Sequence, residues 1–138
     1  MKTLIEFHPP ENEIEFLEEK LLQHNCRKID NYSYENVIIK SFENSNSIIA
    51  GIHCQIGGGW LYIASLWVAE KLRQQGMGKD LLAKTEEIAI QKNCIGIYLY
   101  TYSFQNPMFY QKLGYHVFGE LENFCGNNSK LFMKKILV

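Results

Sequence analysis

Between Leu66 and Leu82 the chain passes from an apolar strand, Leu66-Trp67-Val68, through a basic turn carrying Gly76 and Gly78, directly into an amphipathic helix that continues through Lys79-Asp80-Leu81-Leu82. No other feature restricts the fold as much. A strand that becomes a helix within a few residues commits the chain to a sheet with that helix packed on it. The two glycines let backbone N–H groups converge on one small concavity with no Cβ in the way, and the helix adds the positive end of its dipole to the same spot. A phosphate or pyrophosphate is the natural guest.

Two common phosphate motifs do not fit. A P-loop needs a glycine five residues before the Gly78-Lys79 pair and Ser or Thr after it, where this chain has Arg73 and Asp80. A dinucleotide fingerprint needs a third glycine at the position of Leu81. What remains is Arg73-x-x-Gly76-x-Gly78 between strand and helix. A second segment, Thr101 to Gly119, supplies a strand, Asn106, a short helix bearing Phe109-Tyr110, and then Leu113-Gly114-Tyr115 leading into another strand. Two motifs in this order resemble the GNAT family of N-acetyltransferases, closely from about Gly59 to Glu122.

Length and composition agree with one compact domain over residues 1–138, since 46% hydrophobic and 13% aromatic residues supply a single core. A net charge of −1 gives no reason to expect nucleic acid or an anionic membrane as partner. Cys26, Cys54, Cys94 and Cys125 lie far apart, with neither a Cys-x-x-Cys pair nor a histidine at zinc-site spacing, so they read as free or buried thiols and no metal is expected. The charged start, broken by Pro9-Pro10, holds no signal-peptide hydrophobic region, and no apolar run reaches membrane-spanning length. A cytoplasmic protein is expected.

Along the chain, Thr3 to Phe7 reads as a first strand and Glu11 to Gln23 as a helix with Ile14, Leu17 and Leu21 on one face. Residues 24–36 read as a loop. Val37 to Phe42 and Ser47 to Ile56 form a hairpin around Glu43-Asn44-Ser45-Asn46, and Gly57-Gly58-Gly59 turns the chain into a third antiparallel strand, Trp60 to Val68. The next helix puts Leu81, Leu82, Thr85, Ile88 and Ala89 on one stripe, with Lys84, Glu86, Glu87 and Gln91 outward. Ile95 to Ser103 is a strand parallel to Trp60–Val68, because a helical crossover joins them. Pro107 opens a short helix capped by Asn106 and closed by Gly114; Tyr115 to Leu121 and Lys130 to Leu137 complete the sheet. The expectation is a mixed α/β (α+β) fold, a mostly antiparallel sheet of about seven strands flanked by helices. The resemblance implies the GNAT acyltransferase fold, splayed between two parallel central strands with acetyl-CoA in the gap.

By the same resemblance, Arg73, Gln74, Gln75, Gly76, Met77, Gly78 and Lys79 hold the coenzyme's pyrophosphate, Leu66, Trp67 and Val68 flank its pantetheine arm, and Asn106 and Tyr110 also contact it. Asn106 has a second role available as helix N-cap. Tyr110 is the expected catalytic residue: a phenol is protonated at neutral pH and can donate to the departing thiolate. Relatives often carry an acidic residue near the position of Ala64, where this chain has Ile63-Ala64-Ser65. The base is therefore left among Glu70, Glu120, a water chain, bulk solvent and, less favoured, His53 and His116. Acetyl transfer to a primary amine of a small molecule or peptide by direct attack is the leading reading; the alternative is a non-catalytic acyl-CoA-binding sensor or scaffold. Tyr98, Tyr100 and Tyr102 alternate on one strand face beside Trp60 and Tyr62, which favours a cationic acceptor if these rings face the cleft with Glu120 or Glu122 near its mouth. Acceptor contacts are expected from residues 24–36, Gly57–Trp60 and Glu122–Asn128, and a homodimer is left open.

Overall fold

The computed structural model describes residues 1–29, 32–44 and 46–138, in two compact units, 1–33 and 34–138. In the first unit, α1 (Glu11–Lys28) starts after Pro10, with Glu11 and Glu13 in its first turn and Arg27 and Lys28 in its last, each at the dipole end that favours its charge. The helix runs past Gln23, the expected end, because His24 to Lys28 contains no glycine or proline to stop it. Asp30 and Asn31 of the expected loop, and Ser45 of the expected hairpin turn, lie outside the described residues. Thr3 to Phe7 does not form a strand. A strand needs a neighbour for its N–H and C=O groups, and this segment pairs with none among the described residues.

The second unit is a sheet with two helices. It comprises β1 (Glu35–Phe42), β2 (Ile48–Gly57), β3 (Trp60–Val68), α2 (Met77–Gln91), β4 (Gly96–Tyr102), α3 (Pro107–Lys112), β5 (His116–Phe124) and β6 (Asn128–Ile136), with a 3₁₀ turn at Glu70–Leu72. Among the described residues the sheet has six strands rather than the expected seven, in the order β1-β2-β3-β4-β6-β5. Every pairing is antiparallel except β3 with β4.

Period-two alternation in β4 buries Ile97, Leu99 and Thr101 on one face. The apolar stripe of α2 packs Leu81, Leu82, Thr85 and Ala89 into the same core, together with Ile52, Leu61 and Met133. Each large aliphatic side chain so buried contributes roughly 1.5–3 kcal/mol. Glu86 is a correction to the expected outward face of α2. It is half-buried, accepting from Lys135 Nζ at 3.0 Å and from the Tyr115 hydroxyl at 3.1 Å.

The β3–β4 contact positions the site. Register holds only for Trp60 with Gly96, Leu61 with Ile97 and Tyr62 with Tyr98. Beyond these pairs the two strands share no ladder, and their backbone polar groups face a gap. A bulge reinforces the separation: His53 pairs with Ser65 and Cys54 with Ile63, so Ala64 is the extra residue in β3.

Candidate active site

Two cavities open along that gap. The larger, about 750 Å³, is lined by Leu66, Trp67 and Val68 of β3, by Leu72, Arg73, Gln74, Gly76, Met77, Gly78 and Lys79 of the loop and helix start, and by Thr101, Gln105, Asn106, Phe109 and Tyr110. The smaller, about 240 Å³, is lined by Ile63 to Leu66, Leu99 to Tyr102, Gln105 and Tyr110. Leu66, Thr101, Gln105 and Tyr110 belong to both, so the two spaces meet at these four residues.

At the large end, α2 begins without a side-chain cap on Gly76. The first helical N–H with an acceptor in the turn is that of Asp80, bonded to the Gly76 carbonyl at 3.0 Å. The N–H groups of Met77, Gly78 and Lys79 come before it and are the orphan donors of the helix start. Gly76 has φ +88°, and a Cβ there would meet nothing within 4 Å, so a side chain would enter open space beside those donors. Arg73 is drawn back by its Nε, which donates to the Val68 carbonyl at 3.0 Å and ties loop to strand. The Gln75 side chain turns away to the Lys71 carbonyl at 3.3 Å and lines neither cavity, unlike the other expected loop residues. Uncapped donors, the dipole and the Arg73 and Lys79 charges fit a diphosphate.

At the other end, Asn106 caps α3 by accepting from the Phe109 N–H at 3.3 Å. Tyr110 projects from α3 with its ring edge to face against Phe109 and Tyr115, at centroid distances of 5.0 and 5.9 Å. Burial pushes its phenol up to about 12, and its hydroxyl makes no hydrogen bond to any described residue. Sequence reading missed Leu72, Thr101, Gln105 and Phe109 as lining residues; only the gap between β3 and β4 brings them to one place.

None of the residues lining either cavity is a carboxylate or a histidine. Glu70, Glu120, His53 and His116 are absent from both linings; His53 Nε2 is instead paired with Asn36 Oδ1 at 2.9 Å. Gly57–Trp60 and Glu122–Asn128 contribute no lining residue either. Of the expected aromatic series, Tyr100 and Tyr102 line the smaller cavity, while Tyr62 and Tyr98 stack on one another at 4.9 Å. Lys130 Nζ lies 3.9 Å from the Tyr100 ring centroid, so a cation of the chain itself already faces that ring.

A mixed sheet opened between two parallel strands, with a glycine-loop helix start at one end of the gap, defines an acyl-coenzyme-dependent transferase. Comparison with known proteins agrees. The acetyltransferase (GNAT) family model matches residues 2–115, and the chain belongs to that family. It is similar to an acetyltransferase of Agrobacterium fabrum, 27% identical over 119 residues, 86% of this chain and 87% of that protein. It is also similar to the blasticidin-S acetyltransferase of Streptomyces morookaense, 35% identical over 79 residues, 56% of this chain and 58% of the relative. The crystal structure of an acetyltransferase from Bacillus cereus superimposes with a TM-score of 0.84 at 32% identity, covering 98% of each chain. The chain is an acetyltransferase whose acetyl donor is acetyl-CoA. Among the described residues no helix is long and apolar enough to cross a membrane.

Proposed function

We propose that the chain transfers the acetyl group of acetyl-CoA to a primary amine on a small molecule, by direct attack, with Tyr110 as proton donor. The observation that carries this reading is the pair of contiguous cavities sharing Leu66, Thr101, Gln105 and Tyr110. Coenzyme in the larger one puts its thioester at the junction, and the smaller one has the size for a compact acceptor. The relative named for acetylating blasticidin-S supports a small-molecule acceptor. Support for a cationic acceptor is weaker: no carboxylate lines the smaller cavity, and Lys130 covers Tyr100. An amine entering as its neutral form fits this lining best.

In the proposed reaction the amine nitrogen bonds to the thioester carbon and the C–S bond breaks. Tyr110 gives its proton to the departing sulfur, and the surplus proton on nitrogen passes through solvent back to the Tyr110 oxygen, which restores the phenol. Tyr110 keeps its proton at every working pH because burial holds it near 12. Transfer to an ordinary thiolate is then uphill by ~3 pK units, but a thiolate expelled into the same dry cleft is a stronger base than one in water, which narrows the difference. Cys54 and Cys94 are buried in the core and take no part. The test is release of free thiol from acetyl-CoA across a panel of amines, wild type beside Tyr110→Phe. The reading expects turnover with at least one small amine and a ~10²–10⁴-fold lower kcat in the variant with little change in KM for acetyl-CoA. A loss below about threefold removes Tyr110 from the proton path.

A further inference from the structure

Gln105 stands at the junction of the two cavities, and its hydrogen bonds leave one part of its amide unspent. Its Oε1 accepts from the Tyr102 backbone N–H at 3.1 Å and from the Thr101 hydroxyl at 2.9 Å. A backbone N–H can only donate, so the side-chain atom facing it must be the carbonyl oxygen, and the orientation of the amide follows without ambiguity. Both contacts fall on that oxygen. The Nε2 group, with two protons, makes no hydrogen bond to any described residue. Thr101 is itself buried at 4% exposure, so one of the two anchors is held by the core. The result is an exposed side chain fixed at its acceptor end, with its donor end unspent, on a residue that lines both cavities together with Leu66, Thr101 and Tyr110.

We infer that Gln105 is a catalytic residue whose Nε2–H donates to the acyl carbonyl oxygen of acetyl-CoA. This deepens the reading above and rests on it for the position of the thioester. When the amine bonds to the carbonyl carbon, the π electrons move onto that oxygen. The Gln105 donor stabilises the charge until the pair returns to carbon and the thiolate leaves. An ammonium has no lone pair to receive this hydrogen bond, and a neutral amine that received it would lose its nucleophilic pair. Of the reacting groups at the junction, the thioester carbonyl oxygen is therefore the one the amide suits. Anchoring by Tyr102 and Thr101 means little reorganisation accompanies the charge development, which is the condition for an effective oxyanion donor.

A binding test reads the contact without any acceptor. Titration calorimetry on the full chain compares acetyl-CoA with S-ethyl-CoA, which lacks the carbonyl oxygen, for wild type, Gln105→Glu and Gln105→Ala. The glutamate keeps an acceptor oxygen for Tyr102 and Thr101 and replaces the donor with a charged acceptor oxygen; because the side chain is exposed, its fold and melting temperature should match wild type. Wild type should bind acetyl-CoA about five- to tenfold more tightly than S-ethyl-CoA. That preference should vanish in both variants. In the thiol-release assay Gln105→Glu should lose about 100-fold in kcat. Persistence of the preference in Gln105→Glu, or its absence in wild type, overturns the inference. Either result would make Gln105 a staple of the β4–α3 turn, with Gln105→Ala melting early and Gln105→Glu behaving as wild type. The Tyr110→Phe variant separates the two readings: retained turnover there, with the calorimetric preference intact, refutes the proton donor and leaves Gln105 standing.

Discussion

The backbone N–H of Tyr115 donates to the carbonyl of Tyr110 at 3.0 Å, and the two rings meet edge to face with centroids 5.9 Å apart. The Gly114 N–H donates to the Gln111 carbonyl at 3.1 Å. This pair of bonds is the Schellman closure of α3, and it requires the left-handed conformation that Gly114 adopts at φ +95°. The residue proposed to give the proton is thus held by the device that ends its own helix. Gly114→Ala should cost about 1–2 kcal/mol of stability through backbone strain. It should also lower kcat more than it weakens acetyl-CoA binding. Chemical denaturation and steady-state rates check the two effects; an unchanged kcat would mean that the closure does not position Tyr110.

Tyr115 is tied in turn to α2 and β6. Its hydroxyl and Lys135 Nζ share Glu86 Oε1, with both Glu86 and Lys135 side chains less than a third exposed. Glu86→Ala should destabilise the fold by roughly 2–3 kcal/mol, because it leaves a partly buried ammonium and a phenol without their partner. Tyr115→Phe should cost about 1 kcal/mol. Since both act on one oxygen, the double variant should lose clearly less than the sum. Strict additivity in urea unfolding would show that the three groups do not form one network.

Coenzyme binding should depend on the open space at Gly76. Gly76→Val places a branched side chain beside the free N–H groups of Met77 to Lys79 and forces φ +88° on a residue that resists it. Wild type should gain ~3–4 kcal/mol of stability at acetyl-CoA concentrations several hundred times its dissociation constant. The variant should fold, melt lower, and show almost none of that gain. An equal ligand-induced shift in the melting temperature of both proteins would remove the loop from the binding site.

Alkaline pH should unfold the protein through protons it holds too tightly. Burial raises the Cys54 thiol from 9.0 to about 11 and the Tyr110 phenol from 10.0 to about 12. Below about pH 8 both groups are protonated whether the chain is folded or not, and they cost nothing. Above that, the unfolded chain releases protons the folded one keeps, so stability falls with rising pH until the folded groups also ionise. Between pH 8 and pH 10.5 these two groups cost roughly 2–3 kcal/mol, most of it from Cys54, and the Tyr115 phenol, raised by burial and the Glu86 carboxylate, and the Cys94 thiol, raised by burial, add to the loss. Urea midpoints across that range measure it, and Cys54→Ala should flatten the early part of the decline. A constant midpoint would contradict the assignment of these groups as buried and proton-retaining.

Local chemistry by itself determined much of this protein. Gly57–Gly59 before an apolar run set β3 at Trp60–Val68, and Asn106-Pro107 with Gly114 bracketed α3, because turns, caps and glycine conformations act over three or four residues. The glycine loop pointed to an anion site for the same reason. Long-range pairing is a different matter. Thr3–Phe7 has strand composition but no ladder, and a strand is a relation between two segments. Lys130 lies over Tyr100 only because β6 pairs with β4, setting Lys130 opposite Tyr102. The chain's alternation showed that Tyr100 and Tyr102 share a face but not what else stands on it. Glu86 turned inward because Lys135 and Tyr115, distant in the chain, supply it with donors. The junction of Leu66, Thr101, Gln105 and Tyr110 exists because β3 and β4 part after three residue pairs. Only the tertiary structure decided that separation, since a gap is the failure of two strands to meet and no run of residues within either strand records it.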